Sequence, residues 1–135
     1  RYYPSKHHIF AAVLTEQVSR FRPPAPTGDT VDDIAALVVK ACGGLLQHRH
    51  LAHAMITSTQ LVRAHSEDAD DPTLRDLILQ TAGADDPTVE QVRRARLIQQ
   101  TAFGIMTWTV GGALAVEDAL ADLDTACRLL TADAF

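Results

Sequence analysis

Apolar residues recur along most of the chain at the three- and four-residue spacing of amphipathic helices, and short polar stretches separate these segments. The first segment begins at Ser5, a residue type that commonly caps helices, and runs to about Phe21. The Pro-rich stretch RPPAPTGD follows it and predicts a loop. A second helix is predicted from Thr30, because Thr30 and Asp33 resemble a capping box. A third is predicted over about 49–66.

The tetrapeptide Asp-Asp-Pro-Thr occurs twice, at residues 70–73 and 85–88. In each copy an Asp can cap a helix, and Pro suits the first helical position because its missing N–H needs no partner there. The sequence therefore predicts a short helix over about 72–82 and a long helix from Pro87 to about Gly111.

A last helix is predicted over about 116–131, and no segment has the alternation of a convincing β-strand. The fold class predicted from these segments is all-α, with about six helices. The adjacent glycines Gly43 and Gly44 are expected either to end the second helix or to let another group approach it closely.

The composition is that of one soluble globular domain, with 47% apolar and 21% charged residues among 135. The formal net charge of -5 argues against this chain binding nucleic acid by itself, since such domains carry a basic face. Cys42 and Cys127 fall at apolar positions of their helices, which predicts small buried thiols in a reducing cytoplasm.

Catalytic motifs are missing from the sequence, so an enzyme and a bound cofactor are not expected. There is no Gly-x-Ser-x-Gly, Ser-x-x-Lys or Cys-x-x-Cys motif, and no phosphate-binding glycine loop. His48, His50 and His53 form the one candidate cluster, but no carboxylate lies one helical turn away, and a metal site is not predicted. The alternative kept open is a standalone helical bundle with a metal or small-molecule enzymatic role through these histidines; a scaffold without a cavity is a third.

The apolar half of the long helix carries an embedded polar set: Gln99, Gln100, Thr101, Thr107, Trp108 and Thr109. Two interpretations stay open. The threonine hydroxyls can bond to their own helix while the glutamines reach solvent or a partner chain. Alternatively, these groups are the polar anchors of a mostly apolar small-molecule pocket.

The long helix and the last helix carry apolar positions on more faces than a monomer of this size can cover. Small residues among them permit close helix approach. We therefore expect a homodimer in which these two helices form an intermolecular four-helix bundle. The predicted interface residues are Ala102, Gly104, Val116, Leu120, Leu123 and Cys127.

The opening RYYPSKHHIFAAVL resembles the junction between the DNA-reading head and the effector domain of tetracycline-repressor-like (TetR) transcription regulators. In that family an aromatic-rich stretch, a small turn and a Lys precede an amphipathic helix, and Tyr2, Tyr3, Ser5 and Lys6 fill these places. The resemblance implies that residues 1–4 end the DNA-recognition helix and its turn. Residues 5–135 would then be a helical effector-binding and dimerisation domain whose helix-turn-helix head is missing from this chain.

The resemblance also implies a function: an effector-responsive, cytoplasmic DNA-binding regulator, expected to be a repressor. Tyr2 and Lys6 would contact the DNA backbone, because an ammonium at a helix N-terminus suits phosphate. Operator DNA would be read by the missing head, and the effector would be a small apolar or amphipathic molecule. Helix faces suggest these ligand-binding residues: Met55, Gln60, Gln99, Phe103, Met106, Thr107 and Trp108.

Overall fold

The computed structural model describes residues 5–64 and 73–135, and within these ranges the chain forms six helices and no strand. In chain order they are α1 (Lys6–Arg20), α2 (Thr30–Leu46), α3 (Arg49–Ala64), α4 (Leu74–Thr81), α5 (Val89–Val110) and α6 (Val116–Thr131). The all-α prediction is confirmed. Within the same two ranges no helix is long and apolar enough to cross a membrane. The predicted end of α3 at Ser66 and the predicted start of α4 at Pro72 lie outside the described residues.

The start of α2 differs from the predicted capping box by one residue. Asp29 is the N-cap, and its carboxylate accepts a hydrogen bond from the Asp32 N–H at 3.0 Å, which makes Thr30 the first helical residue. Asp33 accepts instead from the N–H of Thr27 at 2.9 Å and so ties the preceding loop to the helix. Carboxylates at the first turn also suit the positive end of the helix dipole.

The start of α5 was predicted at Pro87, and this is wrong by two residues. Val89 is the first helical residue and Thr88 is the N-cap. The Thr88 hydroxyl accepts from the Gln91 N–H, and the Gln91 side chain accepts from the Thr88 N–H, both at 3.1 Å. This reciprocal pair satisfies two backbone donors, whereas an Asp before Pro87 would satisfy one.

The starts of α4 and α1 also depart from the simplest capping pattern. α4 begins at Leu74, and the Asp76 carboxylate accepts from the Thr73 N–H at 2.9 Å. Ser5 is the N-cap of α1 as predicted, but its hydroxyl lies 2.8 Å from Nδ1 of His8 and caps no backbone N–H. The Ser5 carbonyl oxygen accepts from the N–H of His8 at 3.1 Å, so the first turn of α1 has backbone and side-chain hydrogen bonds together.

The core is arranged around α2, which packs against α3, α4, α5 and α6. Its residues Ile34, Leu37 and Val38 are fully buried. Around them lie buried side chains of the other core helices: Ile56, Ile78, Ala95, Ile98, Ala102, Met106, Ala119, Leu123 and Cys127. α1 differs from these helices, because it packs mainly against α3 and none of its residues is buried.

The glycine pair in α2 allows α6 to approach closely. The helix continues through both glycines to Leu46, so they do not end it. A Cβ at Gly43 would lie 3.3 Å from Cδ2 of Leu120, which is tighter than an ordinary packing contact. Of the two roles left open by the sequence, close approach is the one observed for Gly43.

Two arginines hold the C-terminal ends of the last helices. Nη1 of Arg94 donates to the carbonyl oxygen of Leu130 near the end of α6, at 2.9 Å. Nε of Arg49, the first residue of α3, donates to the carbonyl oxygen of Val110 at the end of α5, at 3.2 Å. A cation at this position satisfies a free carbonyl and suits the negative end of the helix dipole.

Both cysteines are buried as free thiols, as the sequence predicts. Burial raises the pKa of Cys42 from 9.0 to about 12, and the nearby Cys127 adds to the effect. The pKa of Cys127 is also raised to about 12, chiefly by burial and then by the charge of Asp124. Both groups therefore remain protonated near neutral pH, and neither has the reactivity of a nucleophile.

These thiols predict a loss of stability at alkaline pH. Because the folded-state pKa lies above the unfolded value, the contribution is complete below about pH 9 and is lost as the pH rises toward 12. We expect the free energy of unfolding to fall by about 1 kcal/mol per thiol for each pH unit above pH 9. Urea unfolding at several pH values measures this, with the Cys42→Ala/Cys127→Ala double variant as control. Parallel pH profiles for the two proteins would contradict the prediction.

Candidate functional site

An open groove of about 430 Å³ runs between α3 and α5. We call it the α3–α5 groove, and the residues that line it are Gln60, Gln99, Gln100, Phe103, Gly104, Thr107 and Trp108. Its size lies within the range of small-molecule pockets. Its described lining combines two aromatic rings with three amides and a hydroxyl, and none of these seven side chains is charged.

One helix supplies nearly all of this surface because α5 has two different faces. Ala95, Ile98, Ala102 and Met106 recur every three or four residues and are buried in the core. Each member of the buried stripe from Ile98 onward is followed in the sequence by a residue that lines the groove. These residues are Gln99, Phe103 and Thr107. Residues four apart lie on the same side of a helix, so the second stripe forms a continuous wall.

Five of the seven residues predicted to bind a ligand line the groove: Gln60, Gln99, Phe103, Thr107 and Trp108. Met55 and Met106 do not, since they are only 1% and 5% exposed. The groove also contains Gln100 and Gly104, which the ligand prediction omitted. Their spacing of four residues from each other was the sequence signal that could have placed them on one face.

Two of the three threonines of α5, Thr107 and Thr109, bond to their own helix, as one of the two interpretations expected. The Thr107 hydroxyl donates to the carbonyl oxygen of Phe103 at 2.8 Å. The Thr109 hydroxyl donates to that of Ile105 at 2.7 Å. Thr107 nevertheless stays exposed in the groove, where its oxygen can still accept a hydrogen bond.

Gln99 and Trp108 are held differently from the threonines. Oε1 of Gln99 accepts from the backbone N–H of Arg75 at 2.9 Å, which ties the groove wall to the first turn of α4. Trp108 is 66% exposed, although large aromatic side chains usually bury most of their surface. The groove therefore has one amide in a fixed orientation and one exposed indole.

The lining residue Gln60 lies close in sequence to a contact between α3 and α1. Ser58 is 2% exposed, and its hydroxyl lies 3.0 Å from Nδ1 of His7 in the first turn of α1. This hydrogen bond joins α3 to α1, a helix that has no buried residue of its own. A displacement of the 58–60 segment of α3 would therefore reach the N-terminal turn of α1.

The residues predicted for a dimer interface differ widely in exposure. Ala102, Leu123 and Cys127 are each 1% exposed and belong to the core of the single chain, so their surface is not available to a partner. Leu120 is half-buried beside Gly43. Gly104 and Val116 are exposed. The sequence pattern assigned residues of the buried stripe of α6 to the interface, because a core stripe and an interface stripe both consist of small or apolar residues.

The histidine cluster is exposed, and it is not assembled into a site. His48, His50 and His53 all lie on the surface around the start of α3. Across the described ranges, no group of three His, Cys, Asp or Glu residues is placed to hold a metal ion. Arg49, within this cluster, instead bonds the end of α5.

The two residues predicted to contact DNA lie at the beginning of the chain. Tyr2 lies outside the described residues. Lys6 is exposed at the first position of α1, where its ammonium group is accessible to solvent.

Comparison with known proteins agrees with this architecture. Residues 28–130 match the family model described as tetracyclin repressor-like, C-terminal domain. The structure is similar to the crystal structure of a TetR transcriptional regulator from Rhodococcus sp. RHA1, with a TM-score of 0.87 and 35% sequence identity. That match covers 98% of this chain and 75% of the other. No curated protein sequence matches the chain.

The family match spans α2 to α6 and includes every residue that lines the groove. The six-helix order and the structural similarity over nearly the whole chain lead to the same assignment. The chain belongs to the tetracycline-repressor-like family of transcriptional regulators and carries its C-terminal domain.

Proposed function

We propose that the chain is the effector-binding and dimerisation part of a cytoplasmic transcriptional repressor, and that its effector occupies the α3–α5 groove. The observation that carries this proposal is the groove itself, in which one face of α5 meets Gln60 of α3. The family of regulators to which the chain belongs, rather than any catalytic group in the described residues, supports regulation over enzymatic activity.

Operator DNA is bound by a helix-turn-helix head that precedes α1. The support for this step is the resemblance of residues 1–14 to the family junction, together with the exposed position of Lys6. An exposed ammonium at a helix N-terminus can pair with a phosphate and contributes affinity without sequence preference.

The effector acts on DNA binding through α3 and α1. A molecule in the groove contacts Gln60, and Ser58 lies half a turn earlier and meets His7 of α1. α1 has no buried residue, so its tilt can change without opening the core. Because two heads must match half-sites about one DNA turn apart, roughly 34–36 Å, a small change of tilt lowers operator affinity.

A second copy of the chain covers the outer face of α6. Ala121, Thr125 and Leu129 recur every four residues on the side opposite the buried stripe, and all three are exposed. Leu129 is 71% exposed. A symmetric pairing across this face would bury it, and regulators of this family are typically homodimers.

The pairing surface is tested by Leu129→Asp. A charge on this exposed side chain disturbs little within one chain, but two copies of it would meet or lie close together in the dimer. We expect the dissociation constant of the dimer to rise at least about tenfold, which light scattering over a concentration series measures. Leu51→Asp, on the exposed part of α3, serves as the matched control. Equal dimer stability in both variants would contradict the proposal.

The route from groove to α1 is tested by Ser58→Ala in the full-length protein. A compound is first selected because it raises the melting temperature and changes the fluorescence of Trp108, the only tryptophan of these 135 residues. Its affinity should stay within about twofold in the variant, since Ser58 does not line the groove. Its effect on operator affinity should shrink about fivefold, because one hydrogen bond of about 1 kcal/mol is lost from the coupling.

Two further variants serve as controls for the measurement of operator affinity. Ser19→Ala removes a hydroxyl that bonds within α1 to the Glu16 carbonyl, and it should leave the coupling unchanged. Lys6→Ala should lower operator affinity equally with and without the compound. An unchanged compound effect in Ser58→Ala would exclude this route, and a compound that binds the groove without altering operator affinity would exclude the regulatory role.

A further inference from the structure

We propose that the α3–α5 groove selects flat, uncharged aromatic molecules that carry a carbonyl acceptor, and that Gln99 supplies the hydrogen bond that recognises this carbonyl. This inference rests on the proposed function, in that it specifies the ligand class of the same groove. The sequence predicts an apolar or amphipathic effector, and this inference adds that the effector carries a carbonyl group that lies beside Gln99.

Gln99 presents a donor because its acceptor is already engaged. Oε1 accepts the backbone N–H of Arg75, and a backbone N–H cannot bond to the amide nitrogen instead, so the amide orientation is fixed. Among the described residues, Nε2 of Gln99 makes no hydrogen bond. A ligand that contacts this side chain therefore meets two N–H groups, and a carbonyl oxygen is the complementary partner.

The neighbouring groups favour a flat ring. Phe103 and Trp108 bring two aromatic rings to the groove, and Trp108 is 66% exposed. Aromatic pairs stabilise each other beyond the area that they bury. A ring stacked on Trp108 would cover surface that the chain itself leaves in water.

Gly104 leaves open space on the α5 wall of the groove. It lies inside α5, where glycine costs about 0.5–1 kcal/mol relative to alanine, and a Cβ there would meet nothing within 4 Å. Internal packing therefore does not require glycine at this position. The added methyl would occupy groove volume, so glycine favours the ligand at the expense of helix stability.

The groove offers no cation to a carboxylate among its described lining residues. An anion would lose its strong hydration in the groove and find only neutral hydrogen-bond donors there. An uncharged carbonyl loses much less hydration free energy when it leaves water. We therefore expect a neutral carbonyl compound to bind more tightly than the corresponding carboxylate and more tightly than the hydrocarbon that lacks the carbonyl.

Three probes with the same ring system test this order: 2-naphthamide, 2-naphthoate and 2-methylnaphthalene. Binding to the full-length protein is measured by calorimetry and by Trp108 fluorescence. We expect 2-naphthamide to bind about five- to tenfold more tightly than either of the others, the worth of one net hydrogen bond. Equal or tighter binding of 2-methylnaphthalene, tighter binding of 2-naphthoate, or no binding of 2-naphthamide would each overturn the proposal.

The variant Gln99→Glu reverses the chemistry of the same position. A carboxylate still accepts the Arg75 N–H, so α4 stays attached, but it offers the groove an acceptor and a negative charge. Binding of 2-naphthamide should fall about tenfold, while 2-naphthylmethylammonium should bind more tightly than it does to the natural chain. Gln17→Glu, an exposed change on α1, controls for the added charge. Unchanged preference in Gln99→Glu would show that Gln99 does not recognise the ligand.

The variant Gly104→Ala tests the position of the ligand, because it should change stability and ligand affinity in opposite directions. The melting temperature should rise, because alanine is the better helix former, while the affinity for 2-naphthamide falls. A rise in both quantities would contradict the proposed place of the ligand. A failure in these assays is distinct from a failure of the proposed function, which depends only on whether a groove ligand changes operator affinity.

Discussion

The structure depends on one constraint, which is that the 22-residue helix α5 must serve two surfaces at once. Its buried stripe, which includes Ile98 and Met106, packs into the core with α2 and α6, and its neighbouring stripe, which includes Gln99 and Phe103, lines the groove. The two stripes are offset by about 100°, the rotation between successive residues of a helix. A ligand bound on the second stripe, as proposed, would rest against a helix whose other face is buried in the core.

In contrast to α5, α1 is not part of the buried core. It contributes no buried residue and packs mainly against α3, so little of the core opposes a change in its tilt. Elements with few buried contacts are the ones that move at low free-energy cost. The hydrogen bond between His7 and Ser58 connects this helix to the segment of α3 that ends at the groove. In the proposed mechanism the effector rests on the α5 wall of the groove, and α1, which has no buried residue, responds to it through α3.

Periodicity was sufficient to predict six helices, because each carries a long apolar stripe with clear breaks between the stripes. It predicted Gln99 and Met106 on one face, but Gln99 lines the groove and Met106 is buried, since adjacent residues differ by one 100° step and packing decides which one is buried. The same ambiguity assigned Leu123 to an interface. Capping chemistry decided the start of α5, where the reciprocal bonds of Thr88 outweigh the Asp-Pro pattern.

The central claim is that groove occupancy and DNA binding are coupled, and coupling between two ligands must be reciprocal. The most direct measurement is a fluorescence titration of the groove through Trp108, performed on the full-length protein with and without saturating operator DNA. We expect the affinity for the groove ligand to change by the same factor by which that ligand changes operator affinity. Identical groove affinity in the two titrations would contradict the account.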